Sequence, residues 1–445
     1  MTFRYLSFIL LTCVLSCQSS EKETVEMTEQ EVTTKWADLT LHITKHTPAN
    51  SPTFASRCLG YIGLTMYESV VYGFPEYQSL VGQLTDLEEL TKPEKDANYD
   101  WILALNAGQA EILRNIYIQT ADSNKTKIDS LEQVIFDSFS IKINDKKTAK
   151  RSVDFGKKIA QQIFEWSKTD GGHRAYLKNF DKSLVHPDFP GSWKPPLFAQ
   201  SFSHHPLHPY WGENRTFVPK NADISLPKMI KYDADKSSDY YRQFAEVYEK
   251  ERTLTQAEKE AAIWWSDDPD DTFTPPGHSY YIATIALKAK QPSLIKCAET
   301  YARVGMSVAD AFIECWKWKY HFFSERPNTF IPQQIDNEWV SFWPDPPFPS
   351  FPSGHAIQAA AAATVMIDLY GDKFSFTDDT HVGREYDEIR DVDFVARHFD
   401  SFWEVALETA DSRFFGGIHT HQDNEVGLEE GARIGRYVNE LKWKK

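Results

Sequence analysis

Residues 293–323 read SLIKCAETYARVGMSVADAFIECWKWKYHFF. Gly305, Ala309, Phe312 and Trp316 recur at three- and four-residue spacing, so the segment is predicted to be a helix with one buried face. The next position on that face is Lys319, and Phe323 follows it. An ammonium on an apolar stripe costs free energy unless an anion meets it. Arg326 falls almost two turns later, on nearly the same side if the helix persists, and Pro327 is expected to mark its end. Taken alone, the pair also fits a snorkelling lysine and an arginine serving the helix C-terminus.

Helical spacing extends outward in both directions, over 36–71, 101–118, 127–139 and 153–166 before this segment and over 239–250, 255–265 and 280–290 nearer to it. It resumes after it over 356–370, 399–413 and 423–442, while alternating strand-like runs are nearly absent. Between Gly171 and Pro227, eight prolines, several aromatics and clustered histidines predict a long surface-wrapping loop. His204, His205 and His208 match no metal-ligand spacing and read as loop histidines. The expected architecture is all-α, a single large helical-bundle domain over 35–445 whose chemistry-bearing motifs fall in 319–423.

The formal net charge of −16 argues against a nucleic-acid partner. Residues 5–15 form a short apolar stretch that ends in Leu15-Ser16-Cys17 and passes at once into a polar run. That layout predicts a signal over 1–17 and a tether over 18–34. It resembles a lipoprotein leader in which Cys17 is lipidated, giving an exported, periplasmic or cell-surface protein that touches the membrane only through that anchor. Beyond the leader only Cys58, Cys297 and Cys315 remain, so one disulfide at most can form. Oligomeric state is left open.

Two further segments repeat the anomaly of Lys319. Pro352-Ser353-Gly354-His355 opens the helix predicted from Ala356, so Ser353 can cap it, Gly354 lets the backbone approach a ligand and His355 sits at its mouth. An ordinary serine cap with a solvent-facing histidine is the plainer reading of this segment by itself. The stripe Phe399, Phe402 or Trp403, Ala406, Ala410 leads to Arg413, another cation where carbon is expected. Gly416 and Gly417 break that helix, His419 follows, and Asp423 is placed to fix its tautomer, with His421 left at the surface. Three segments that each bury a cation or a histidine are explained together if they face one tetrahedral oxyanion.

Lys319 to Arg326-Pro327, Pro352 to His355, and Ser412-Arg413 to His419 together resemble the signature shared by vanadium-dependent haloperoxidases and the type 2 phosphatidic acid phosphatase superfamily. Residues 51–71, Tyr210-Trp211-Gly212 with Phe217, Trp264 to Asp268, and Pro275 to His278 also resemble bacterial haloperoxidases, so the likeness covers most of the chain. The resemblance implies a helical bundle of the vanadium chloroperoxidase type and a vanadate cofactor, with neither haem nor nucleotide. Its substrates would be hydrogen peroxide and a halide, iodide or bromide, with small organic halogen acceptors as further partners. It further implies that His419 binds vanadium, that Lys319, Arg326 and Arg413 neutralise the oxygens, and that Ser353 and the Gly354 N–H donate to them. By the same resemblance His355 accepts the peroxide proton, Lys319 polarises the bound peroxide, Asp268 pairs with Arg413, and Phe348 stands at the position associated with halide preference. The alternative is an extracytoplasmic phosphatase in which His419 is the nucleophile and His355 the leaving-group acid. A third reading is a binding lipoprotein that keeps the pocket without chemistry.

Overall fold

Apolar residues on a 3.6-residue period, interrupted by Pro and capped by Ser, Thr or Asp, divide the chain into helices. The computed structural model describes residues 27–143, 145–196, 198–200, 203–269 and 271–445. The leader and most of the tether lie outside them. Among the described residues fourteen helices form. The N-terminal group is α1 (Glu29–Lys45), α2 (Pro52–Glu68), α3 (Trp101–Ile116), α4 (Asp122–Ser140) and α5 (Lys146–Ser167). One-turn α6 (Pro219–Ala222), α7 (Asp239–Glu251), α8 (Gln256–Trp264) and α9 (Thr274–Lys290) lead to the central α10 (Leu294–Phe322). Then come α11 (Pro327–Gln334), α12 (Gly354–Tyr370), α13 (Phe402–Phe415) and α14 (His421–Asn439). One antiparallel pair, β1 (Phe376–Asp378) with β2 (Arg397–Phe399), interrupts this all-α architecture.

α10 is buried almost throughout its length, as a helix in the middle of a large core must be. It packs most heavily on α2, and the two backbones touch at Gly305, where an added Cβ would stand 2.4 Å from the Leu59 carbonyl oxygen. α12 packs on α14, α13 and α10, which brings the beginnings of α12 and α14 and the end of α10 into one region. None of the described helices is long and apolar enough to cross a membrane.

Three boundaries differ from the periodicity. Residues 29–34, expected in a polar tether, belong to α1, whose capping box at Thr28 and buried Val32 and Trp36 show that the folded part begins earlier. Their Glu and Thr content hid a helix whose buried face carries threonines: Thr33, Thr40 and Thr44 bond the preceding turn and need no water. Phe399 lies in β2 rather than in the helix that carries Arg413. α10 ends at Phe323, which adopts φ +47°, and Pro327 starts α11 rather than stopping α10.

The described residues of the 171–227 excursion are irregular apart from single turns and α6, as expected. His208 is buried, with Nδ1 2.5 Å from Thr53 Oγ1 and Nε2 3.1 Å from the Ala175 carbonyl; burial pushes it down to about 4. Asp310 of α10 pins the far end, accepting from the Phe217 and Val218 N–H groups at 2.7 and 3.0 Å and from Asn221 Nδ2 at 2.6 Å. Asp310→Ala leaves these donors buried without an acceptor and is expected to cost about 3 kcal/mol. Faster amide exchange confined to residues near 217–221 is the check.

Candidate active site

Each expected residue comes from the end of an element, where backbone groups are free to complement a charge. Lys319 sits in the last turn of α10, Arg326 caps α11, Ser353 caps α12, Arg413 lies in the last turn of α13, and His419 precedes α14 by two residues. The structure brings all of them into one buried cluster; Lys319, Arg326 and Ser353 are fully buried, Arg413 and His419 at 1 and 2 % exposure.

His419 Nδ1 lies 2.8 Å from Asp423 Oδ2. Ser350 Oγ donates to the same carboxylate oxygen at 2.6 Å, and the Thr420 N–H reaches it at 3.2 Å. A carboxylate can only accept, so the imidazole carries its proton on Nδ1 and presents a lone pair at Nε2. That Nε2 is 3.4 Å from Arg326 Nη1, while Arg326 Nη1 and Nε donate to the carbonyls of Ile418 at 2.8 Å and Phe348 at 2.9 Å. Burial, with the charges of Arg326, Lys319 and Arg413, holds the His419 imidazole well below the usual histidine range.

Lys319 Nζ donates to the carbonyls of Pro349, Ser350 and Pro352 at 2.9, 2.5 and 2.6 Å, which occupies all three of its N–H bonds. In this state it serves the site as a positive charge rather than as a direct donor. Phe348 stands between the cations, its ring 5.2 Å from both Lys319 Nζ and Arg326 Cζ and 4.9 Å from the Trp316 ring.

Arg413 donates from Nη1 to the Trp265 carbonyl at 3.1 Å, and its buried Nε and Nη2 have no partner. Two buried guanidinium nitrogens without a partner are the observation that best fits an anion-binding role. Ser353 is the N-cap of α12, so the Gly354 and His355 N–H groups lack intrahelical partners. An added Cβ at Gly354 would meet Trp316 at 3.5 Å and Lys319 Cε at 4.0 Å, ordinary contacts, so no protein neighbour demands glycine there. His355 Nε2 is 3.4 Å from the Ser266 carbonyl; burial first, then Arg413, keeps this imidazole neutral.

A cavity of about 450 Å³ leads in, lined by Phe348, His355, Arg413, Ser266, Asp267 and Asp268 among others. The expected Asp268–Arg413 ion pair is absent among the described residues. Asp268 instead accepts from Gln200 Nε2 at 2.9 Å, and burial pushes its carboxyl up to about 7, against the pull of the Arg413 charge. His421 is exposed and stacks on Phe414. Sequence reasoning missed Ser350 and the carbonyls of 349–352, because a proline-rich segment has no period that reveals which atoms it turns inward.

Burial pulls Lys319 down to about 7 and Arg413 down to about 10, so only the lysine loses its charge near neutral pH. The ammonium is present below pH 7 and lost above it, and Asp268 becomes an anion over the same range. Both changes disfavour a bound anion at high pH. Sulfate, which does not titrate here, is expected to lose up to roughly tenfold in affinity per pH unit above 7 for each of the two groups that acts on it. Calorimetric titration at pH 6, 7.5 and 9 checks the slope; a pH-independent affinity would show that neither Lys319 nor Asp268 acts on the anion.

Residues 299–443 match the family model of the VCPO second helical-bundle domain. The chain is 25% identical over 214 residues to the vanadium chloroperoxidase of Curvularia inaequalis, a match covering 36% of this chain and 35% of that protein, so only about a third of that relative's length is spanned. A bacterial vanadium-dependent iodoperoxidase of known structure superposes with a TM-score of 0.80 and 29% identity, over 92% of this chain and 95% of that one. An apo-type bacterial vanadium-dependent chloroperoxidase shares the fold, with a TM-score of 0.66 and 16% identity over 89% of this chain and 94% of that one.

Proposed function

We propose, from the premise that this chain belongs to the vanadium-dependent haloperoxidase family, that it holds vanadate at His419 and uses hydrogen peroxide to oxidise iodide or bromide to hypohalous acid. The observation that carries this reading is the lone pair of His419 Nε2, with Nδ1 tied to Asp423, beside the unpartnered nitrogens of Arg413. The iodoperoxidase likeness supports iodide as the first halide to try.

Bound vanadate would supply a Lewis-acidic centre that activates peroxide toward a halide. Around it, His419 Nε2 is the ligand and Asp423 keeps that nitrogen free of a proton. Arg326, Arg413 and Lys319 offset the oxyanion charge, and Ser353 Oγ and the Gly354 N–H donate to it. Neutral His355, at the cavity wall, accepts a proton from incoming peroxide. Phe348 excludes water between the cations, where every charge interaction is strengthened. Export and lipid anchoring at Cys17 belong to the same reading, tested by radiolabelled palmitate incorporation in wild type and in Cys17→Ser.

A phosphatase using His419 as nucleophile needs a charged His355 to protonate the leaving group, and burial beside Arg413 works against that charge. Peroxide-dependent triiodide formation by the purified protein, with and without orthovanadate, decides the matter. Activity that requires orthovanadate is expected. No oxidation despite orthovanadate binding, with turnover of a chromogenic phosphate ester, would move the assignment to hydrolysis.

A further inference from the structure

From Asp267 in the cavity lining inward runs a second buried cluster that the function above does not use. His278, in the first turn of α9, is held at both ring nitrogens: Nδ1 is 2.8 Å from Asp267 Oδ2 and Nε2 is 2.9 Å from Asp378 Oδ2 at the end of β1. His381 Nε2 takes the other Asp267 oxygen at 3.0 Å, and Asp378 also accepts from Trp264 Nε1 and Thr380 Oγ1. These four side chains, Asp267, His278, Asp378 and His381, are at most 3 % exposed. An imidazole between two carboxylates donates to both only as imidazolium, and its charge is pushed up accordingly, against burial.

Asp267 is the corner of the segment that touches the site. It adopts φ +48°, a left-handed conformation that Asp tolerates better than most residues and that turns the chain sharply at this point. The two residues before it offer consecutive carbonyls to the site: that of Trp265 accepts from Arg413 Nη1 and that of Ser266 faces His355 Nε2. The Trp265 ring stacks on the His278 ring, centroids 4.4 Å apart, so the same histidine braces the segment from a second side.

We propose that Asp267, His278, Asp378 and His381 form a positioning network that sets Arg413 and His355 through the carbonyls of Trp265 and Ser266. The proposal rests on the reading of Arg413 and His355 as parts of the oxyanion site. His278, facing Asp267, Asp378 and His381, keeps the cluster charge-balanced enough to stay buried, and Asp267 adds a fixed negative charge behind both site residues. A rival exists, since one ligand atom each from Asp267, His278 and His381 fall within 4.8 Å of one another, a grouping able to hold a divalent cation.

The test is an orthovanadate titration of His381→Ala, His381→Gln and Asp267→Asn beside wild type. His381→Ala and Asp267→Asn are expected to weaken binding by roughly 10–100-fold, as loss of an orienting partner does, with His381→Gln restoring most of the affinity because its amide can still donate to Asp267. Equal affinity in all four proteins overturns the proposal. Nitrogen-15 spectra of protein labelled at histidine and arginine at pH 8 provide a readout that does not depend on vanadate or activity. Wild type must show His278 protonated on both nitrogens, and Asp267→Asn must shift the His355 ring and Arg413 Nε resonances. Unmoved His355 and Arg413 signals overturn the proposal, as does a stoichiometric transition metal found by elemental analysis in the purified protein. If wild type fails to bind orthovanadate, the vanadate reading falls and these spectra alone decide the network.

Discussion

His419→Ala is expected to abolish peroxide-dependent iodide oxidation, a loss on the order of a thousandfold or more in kcat/KM, while leaving the protein folded. On the proposed reading this imidazole is the vanadium ligand, so its removal would take away a bond to the cofactor and not only a charge contact. Asp423 keeps the Ser350 hydroxyl and the Thr420 N–H as partners after the substitution, so no carboxylate is stranded. The unfolding midpoint is therefore expected to move by a few degrees at most. Lys319, Arg326 and Arg413 also remain, and sulfate should bind the variant within about tenfold of wild type, because charge and donors survive where the ligand does not. Parallel titrations with sulfate and orthovanadate separate the two contributions. Retained iodide oxidation in His419→Ala would remove His419 from the chemistry altogether.

Gly431→Ala is expected to be the most damaging single methyl in the C-terminal half, at about 3 kcal/mol. A Cβ at this position of α14 would stand 2.1 Å from the Ile357 carbonyl oxygen and 2.9 Å from Ala360 Cβ, both on α12. The obstacle is backbone, which cannot rotate away, so the two helices must separate. Separation carries into the site, because the Ser353 N–H at the start of α12 donates to the Asp423 carbonyl in the first turn of α14 at 2.9 Å. Loosening that link moves Ser353 and Gly354 relative to His419. The variant should thus lose orthovanadate affinity as well as unfolding free energy, whereas Glu425→Ala on the exposed side of α14 should lose neither. Denaturant unfolding with a matched orthovanadate titration checks both halves. A destabilised Gly431→Ala that binds normally would uncouple the helix crossing from the site.

Lys319 and Arg413 were legible in the sequence because each occupies a position where helical spacing demands carbon, and His419 was legible from the motif it shares with Arg413. Local period carries that kind of information. It carried less at the ends of elements: α1 began inside a stretch read as tether, and Arg326 reached the site as the cap of α11 rather than along α10. The wrapping loop was legible from its prolines, but not the fact that a buried Asp310 ties it down.

By itself the sequence determined the helical class, the cations and histidines placed against that pattern, and a family likeness resting on three motifs. Only the tertiary structure decided which atoms those residues present. Lys319 spends its three donors on carbonyls some thirty residues away, Asp268 turns to Gln200 instead of Arg413, and His278 joins Asp267 to Asp378 across a hundred residues. The physical reason is that periodicity reports which face of an element is buried, whereas pairings between distant segments follow from how the packed helices close their loops, and no local spacing encodes that.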